Sequence, residues 1–250
     1  MKKFLKSVML TTVVSALVFS SQAIAASPDK SSEAEELQLK TNQILKNSDG
    51  ISQEDRLKEL EELGWEIQPL NNEVNPLSSP GDGKITNYFL KDSKTGLYLV
   101  QALWDFTQSV DDWDSTSSAA YDIIGIAVTD EYGKAVNVQG TNGSIVMQDK
   151  DYNRYDRGAS LYSYQDSGAT YTFVDHKSNG QGMHGFAWFY ISKPTSGKNY
   201  YMKSQWIHTW NTSSVTLSSL TLKYPFEISA SFTKTPLQWG TSDQDTIVFD

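Results

Sequence analysis

Apolar residues recur at two different spacings along this chain. Near the N-terminus they follow helical spacing, as in the stripe Leu57, Leu60 and Leu63 among Glu and Lys residues. Further on they alternate with polar residues or fill short runs rich in Tyr, Val, Ile, Thr and Phe, which is typical of β-strands. The pattern predicts a charged helical segment at residues 27–68 and a β-domain at residues 85–250.

Local signals set the borders of these regions. Ser52 is a helix N-cap whose hydrogen bond Asp55 can return, and Gly64 is a natural helix end. Residues 69–84 are rich in Pro, Asn, Ser and Gly, which predicts a linker. The short strands and the absence of intervening helices predict a mainly β fold, an antiparallel β-sandwich preceded by the short helical segment. Candidate strands are 85–90, 97–106, 121–129, 134–139, 144–148, 159–165, 170–175, 185–192, 200–210, 214–224, 226–233 and 245–249.

Residues 211–235 are rich in Ser and Thr, and their amphipathic pattern predicts two successive strands joined at Tyr224-Pro225. In the first strand the alternation changes phase between Leu217 and Leu220, which predicts a bulge. Secreted β-pore toxins carry hairpins of this type, which turn an apolar face to lipid. The alternative is an ordinary sandwich hairpin with one solvated face, which Pro225 at the bend and the acidic character of the chain favour. In the second strand one face is apolar, with Phe226, Ile228, Ala230 and Phe232.

The first 25 residues have the layout of a cleavable secretory signal peptide. Three lysines open the chain, an apolar run covers residues 8–19, and Ala23 and Ala25 stand at the −3 and −1 positions of a cleavage site. The apolar run is too short for a membrane span. We therefore expect residues 1–25 to be removed and the mature protein to be secreted, that is, extracellular.

Charge and cysteine content exclude several classes of function. Without the three signal lysines the chain has 18 basic and 30 acidic residues, a formal net charge of −12. Such a charge argues against nucleic-acid partners and against anionic membranes bound through simple electrostatics. The chain has no cysteine, which excludes disulfides, thiol nucleophiles and cysteine-based zinc sites.

One acidic loop is a candidate metal site. Its D-x-D-x-N spacing places oxygen-bearing side chains on one side of a tight turn, as a hard cation requires. The loop departs from the EF-hand pattern because Arg154 stands in place of the Gly and Ser160 in place of the Glu. The one cofactor that the sequence suggests is therefore a structural calcium ion, and the alternative is a solvated turn. The candidate ligands are Asp149, Asp151, Asn153 and Asp156.

A row of aromatic residues is the candidate ligand-binding surface. In a strand through residues 200–210, the side chains of Trp206, His208 and Trp210 point the same way at a pitch of about 7 Å. Rings at that pitch can stack on successive sugar units of a polysaccharide. The alternative, which the polar opposite face favours, is that the row belongs to the core.

No motif identifies a catalytic centre. Residues 180–185 match the dinucleotide fingerprint G-x-G-x-x-G, but a strand follows where a helix is required. The chain has neither a G-x-S-x-G nucleophile elbow nor an H-E-x-x-H pair. We name no catalytic residue, and the sequence favours a protein without catalytic activity.

Together these observations predict a secreted, non-catalytic binding module that acts on an envelope or environmental polymer such as a polysaccharide. A secreted hydrolase with a site assembled from scattered residues is the alternative. A β-pore-forming or membrane-active protein is the third hypothesis. The sequence says nothing about the oligomeric state.

Overall fold

The computed structural model shows a mainly β protein with two helices near its N-terminus. The residues that it describes are 30–72, 83–106, 122–134, 136, 143–155, 159–165, 168–174, 180–192, 197–210, 217–223, 227–232 and 237–249. The signal peptide predicted at residues 1–25 lies outside these ranges.

The two helices are α1 (Lys30–Lys46) and α2 (Gln53–Leu63). The predicted capping of α2 is confirmed: the Ser52 hydroxyl oxygen accepts a hydrogen bond from the Asp55 backbone N–H and donates one to the Asp55 carboxylate. Gly64 ends α2 in the left-handed region, with φ of 111°, which a glycine adopts without steric cost.

The strands form two six-stranded antiparallel sheets and one two-stranded sheet. Sheet A has the order β1-β3-β4-β10-β6-β7, sheet B has the order β2-β14-β11-β5-β9-β8, and β12 pairs with β13. The strands are β1 (Glu66–Ile67), β2 (Asn71–Asn72), β3 (Gly83–Lys91), β4 (Leu97–Phe106), β5 (Asp122–Asp130), β6 (Ser144–Gln148), β7 (Arg154–Tyr155), β8 (Ser160–Gln165), β9 (Gly168–Phe173), β10 (His184–Ser192), β11 (Asn199–Trp210), β12 (Leu217–Lys223), β13 (Glu227–Phe232) and β14 (Leu237–Val248).

Two apolar cores hold these layers together. Between the sheets, Trp104 of β4 stacks on Phe173 of β9, with ring centroids 5.5 Å apart, so sheets A and B pack face to face. A second core lies between the outer face of sheet A and the helices, where Leu45, Leu60 and Trp188 are fully buried. The antiparallel sandwich with N-terminal helices that the sequence predicts is thus confirmed.

Two details of the sequence prediction need correction. A strand was expected at residues 134–139, but the described residues of this range, Lys134 and Val136, lie outside any strand. The Asp130 carboxylate accepts hydrogen bonds from the backbone N–H groups of Tyr132 and Lys134, which turns the chain after β5. Within the expected linker, β2 adds a short strand to the edge of sheet B.

Candidate functional site

The aromatic row of β11 lies in the sandwich core as far as the structure describes it. The side chains of Trp206 and His208 are both 0% exposed, and the side chain of Trp210 lies outside the described residues. The Trp206 ring packs against Phe106, at a centroid distance of 4.6 Å, and stacks on His208 at 5.5 Å. The first two rings therefore follow the core alternative and present no face to a sugar.

His208, the middle residue of this row, belongs to a buried Asp–His pair. His208 Nδ1 lies 3.0 and 3.1 Å from the two carboxylate oxygens of Asp122, and the Thr209 backbone N–H donates to the same carboxylate at 2.9 Å. All three residues are buried. The carboxylate therefore joins β11 to the first residue of β5 inside the protein, away from any dissolved substrate.

The predicted calcium loop is organised by its first carboxylate. Asp149 Oδ1 accepts hydrogen bonds from the backbone N–H groups of Asp151 and Asn153, at 2.8 and 2.9 Å. Asp151 pairs with Lys150 at 2.5 Å, and Asp156 lies outside the described residues. In the described part of the chain, no three His, Cys, Asp or Glu side chains converge as a metal site would require. Calcium binding at this loop stays a prediction.

The glycine motif at residues 180–185 leads directly into β10, as expected. The histidine of this motif, His184, lies 2.8 Å from Asp105, measured from Nδ1 to Oδ1. The ring of Tyr152 stacks on this imidazole with centroids 4.3 Å apart. Asp105 is partly exposed, so this second Asp–His pair lies at the surface. No sequence pattern points to this pair, because its members come from different strands and a loop.

Two carboxylates, those of the buried Asp245 and the half-buried Asp243, join the two sheets, and sequence reasoning missed them. The side-chain amide of Asn87 in β3 donates to Asp245 in β14 at 2.7 Å, and the Asn87 backbone N–H donates to Asp243 at 3.3 Å. Ser204 of β11 donates to the Asn87 side-chain carbonyl at 2.7 Å. Burial raises the pKa of Asp245 to about 6 and also raises the pKa of Asp243. The sequence signal that could have found this pair is the spacing of Asp243 and Asp245, which puts both side chains on the same face of one strand.

The β12–β13 hairpin has a strictly sorted register. Apolar residues pair with apolar residues along one face, and polar residues pair with polar residues along the other. A register shift between Leu217 and Ser219 confirms the predicted bulge, and Leu217 pairs with the apolar Phe232 on the far side of it. The apolar pairs are Leu217 with Phe232, Leu220 with Ala230 and Leu222 with Ile228; the polar pairs are Ser219 with Ser231, Thr221 with Ser229 and Lys223 with Glu227.

The strands on either side of this hairpin in sequence form the longest strand pair among the described residues. β11 and β14 pair along their whole length, from Asn199 opposite Val248 to Trp210 opposite Leu237. The hairpin lies between these two strands in sequence, and β12 lies beside β9 of sheet B. Its backbone pairing is confined to its own two strands in the part of the chain that the structure describes. In the described part of the chain, the β12–β13 hairpin thus belongs to neither large sheet.

No protein-family model and no curated protein sequence matches this chain. Two solved structures align with it over most of their own length. One, described as "Pore forming protein", shares 9% identity at a TM-score of 0.33, over 72% of this chain and 95% of its own. The other, "Clostridium perfringens delta-toxin", shares 7% identity at a TM-score of 0.27, over 72% of this chain and 93% of its own.

Neither described helix has the length and apolar character needed to cross a membrane.

Proposed function

We propose that this chain is a secreted, membrane-active protein that forms a β-lined pore by inserting its β12–β13 hairpin into a lipid bilayer. The observation that supports this function best is the register of the hairpin, which sorts every described pair into an apolar and a polar face. Strands that cross a membrane as a barrel need this arrangement, with one face toward lipid and the other toward water.

The length and charge of the segment fit a crossing. A tilted transmembrane β-strand needs about 9–11 residues. The described strands cover Leu217–Lys223 and Glu227–Phe232, and the segment predicted from the sequence as two successive strands, residues 211–235, is long enough for two such crossings. Lys223 and Glu227 are the only charged residues between positions 211 and 233, and they stand opposite each other at the turn end. The polar face otherwise consists of Ser and Thr, which suit a water-filled lumen.

A single hairpin cannot satisfy its own edges in lipid, because its outer N–H and C=O groups have no water to bond. The proposed pore is therefore an assembly of several copies whose hairpins close into a barrel. The signal peptide predicted at residues 1–25 supports the matching location, since a protein of this kind acts outside the cell that makes it.

The chain has no cysteine, so single cysteines give a direct test. We would label Leu220→Cys and Leu222→Cys on the apolar face, and Ser219→Cys and Thr221→Cys on the polar face, with a polarity-sensitive dye. On addition of liposomes, the first two labels should report an apolar environment and the other two should stay in a polar one. Equal responses from all four positions, or none, would contradict insertion.

A parallel co-sedimentation assay separates this function from the polymer-binding module. The mature chain is offered liposomes, cell-wall sacculi and insoluble polysaccharides. Pelleting with liposomes, together with release of a trapped dye, supports pore formation. Saturable pelleting with a polysaccharide and no dye release supports the binding module. Such a module would have to bind through residues other than Trp206 and His208, which are buried.

A further inference from the structure

Helix α2 buries an arginine against the outer face of sheet A. Arg56 is 0% exposed, and its guanidinium carbon lies 3.6 Å from the centroid of the Phe186 ring. Gln53 and Leu60 lie three and four residues away along the helix, so they share its buried face. The guanidinium is therefore enclosed between helix and sheet with one of its flat faces on an aromatic ring.

The polar atoms at this place have no hydrogen-bond partners among the described residues. This applies to all three guanidinium nitrogens of Arg56, to both side-chain amide atoms of Gln101 and to Nε2 of Gln53. Nor is Arg56 within ion-pair distance of any described carboxylate. The structure thus contains a buried cation and several buried amide atoms to which no described residue offers a hydrogen bond.

The strand register places Gln101 one row away from Phe186, the ring that the Arg56 guanidinium covers. Gln101 of β4 stands between Tyr88 of β3 and Trp188 of β10, and Leu103 stands beside Phe186 in the neighbouring row of the same face. Arg56 lies over Phe186, so it lies above the part of sheet A that carries Gln101. Side chains one row apart on a sheet face are within reach of a long side chain.

Donors outnumber acceptors in this set, in which the Gln101 side-chain oxygen is the one acceptor. A guanidinium offers five N–H donors and no acceptor, and the Gln53 nitrogen adds donors from the same helix face. Burial lowers the pKa of Arg56 to about 9, so the group still carries its charge at neutral pH. A group that complements this set must bring negative charge and several acceptor oxygens, as an oxyanion does.

We propose that α2 and sheet A enclose a binding site for a small oxyanion, of the size of phosphate, sulfate or a carboxylate, held by Arg56, Gln53 and Gln101. Because two of these residues come from α2 and the third from sheet A, the anion holds the helical segment on the sandwich. The site is separate from the hairpin, and it stands or falls independently of pore formation.

Calorimetric titration of the mature chain with inorganic phosphate, at constant ionic strength and with chloride as reference, tests the site. We expect saturable binding in wild type, and affinity about tenfold to a hundredfold lower in Arg56→Met, as expected when charge-assisted hydrogen bonds are lost. Lys58→Met, on the exposed side of α2, is the matched control and should bind like wild type. No saturable heat with phosphate, sulfate or acetate, or equal affinity in Arg56→Met, would overturn the proposal.

A second variant keeps the test decisive if Arg56→Met does not fold. Gln101→Leu removes one side of the site while keeping the apolar surroundings, and it should weaken phosphate binding in the same assay. Proteolysis gives an independent readout, because phosphate should slow cleavage between α2 and β3 in wild type and not in Gln101→Leu. If phosphate protects both chains equally, or neither, the anion does not hold the helix and the proposal is wrong.

Discussion

The helical segment and the β12–β13 hairpin are both additions to the sandwich, and they are held in different ways. Trp188 and Tyr190 of β10 both donate hydrogen bonds to Asn42 Oδ1 of α1, at 2.9 and 3.0 Å. The indole of Trp65 donates to the Thr41 hydroxyl at 2.8 Å. The hairpin, in contrast, closes its described backbone pairing within itself and extends none of it into sheet A or sheet B.

This difference decides which element can move. Removing the helices would expose buried aromatic rings and leave their N–H and O–H groups without acceptors. Moving the hairpin breaks no ladder of the two large sheets. An isolated two-stranded hairpin is only marginally stable in water, so its position depends on what its apolar face meets. Lipid offers that face an alternative to the sandwich.

The largest expected effect comes from a charge on the apolar face of the hairpin. Leu220→Arg should abolish dye release from liposomes, because an arginine facing lipid near the bilayer midplane costs about 2–4 kcal/mol per strand. The measurement is the initial rate of dye release at equal protein concentration. A rate within about threefold of wild type would contradict insertion of this face, given that about 1.4 kcal/mol corresponds to a tenfold change.

Thr221→Arg is the matched control for that experiment. Thr221 is the next residue along β12 and pairs with Ser229 on the polar face. In the proposed pore its side chain faces the water-filled lumen, so the variant should still release dye and should shift ion selectivity toward anions. Both variants should be checked for an unchanged thermal transition in the absence of lipid.

The second prediction weakens the helical side of the comparison. Asn42→Ala removes the shared acceptor of Trp188 and Tyr190, so the Trp188 indole N–H loses its acceptor and the Tyr190 hydroxyl keeps its long bond to the Gln38 carbonyl, at 3.5 Å. We expect the free energy of unfolding to fall by about 1–3 kcal/mol, measured by urea denaturation. Asn47→Ala, at an exposed position just beyond α1, should change it by less than about 0.5 kcal/mol. Equal effects of the two substitutions would mean that the shared oxygen does not hold α1.

Much of the fold follows from local sequence patterns. The cap at Ser52, the stop at Gly64 and the bulge after Leu217 were predicted, because each is decided by residues within a few positions of one another. Of the strand expected at 134–139 the structure describes Lys134 and Val136, which lie outside any strand, and the Asp130 carboxylate turns the chain just before them.

The contacts that build the sites could not be predicted in the same way. Asn87 and Asp245 are 158 residues apart, and Trp188 and Asn42 are 146 apart, so only tertiary packing brings them together. The role of Trp206 was ambiguous for a different reason. A core face and a ligand-binding face give the same alternation, and the opposite sheet decides between them.

The third prediction concerns pH and a carboxylate of β14, the strand that follows the hairpin in sequence. Asp245 lies on β14, the strand that follows the hairpin, and burial raises its pKa to about 6 from a usual value near 3.8. The folded protein therefore holds this proton more tightly than the unfolded chain does, so the group stabilises the fold at low pH. That stabilisation is lost as the pH rises from about 4 to above 6. Asp243, whose pKa burial also raises, acts in the same direction.

Urea denaturation between pH 4.5 and 7.5 measures this effect as the difference between wild type and Asp245→Asn. In Asp245→Asn, the free energy of unfolding should change between these two pH values by about 1–2 kcal/mol less than in wild type. One pKa unit corresponds to about 1.4 kcal/mol, and water screens part of the interaction. The charged and polar groups that face the pair are Lys84 and Asn87 of β3 and Ser204 of β11. Identical pH profiles would show that Asp245 does not titrate in this range.

The smallest expected effect comes from a substitution that weakens helix α2 and leaves the hairpin unchanged. Ser52→Ala removes the N-cap of α2 and should lower the free energy of unfolding by about 1 kcal/mol. Ser93→Ala, which removes an exposed hydrogen bond to Glu66, should change it by less than about 0.5 kcal/mol. Dye release should be the same for both variants and wild type, because the helices and the hairpin are held by separate contacts. A fall in dye release as large as that of Leu220→Arg would show instead that the cap of α2 controls the hairpin, and the two elements would have to be treated as one coupled unit.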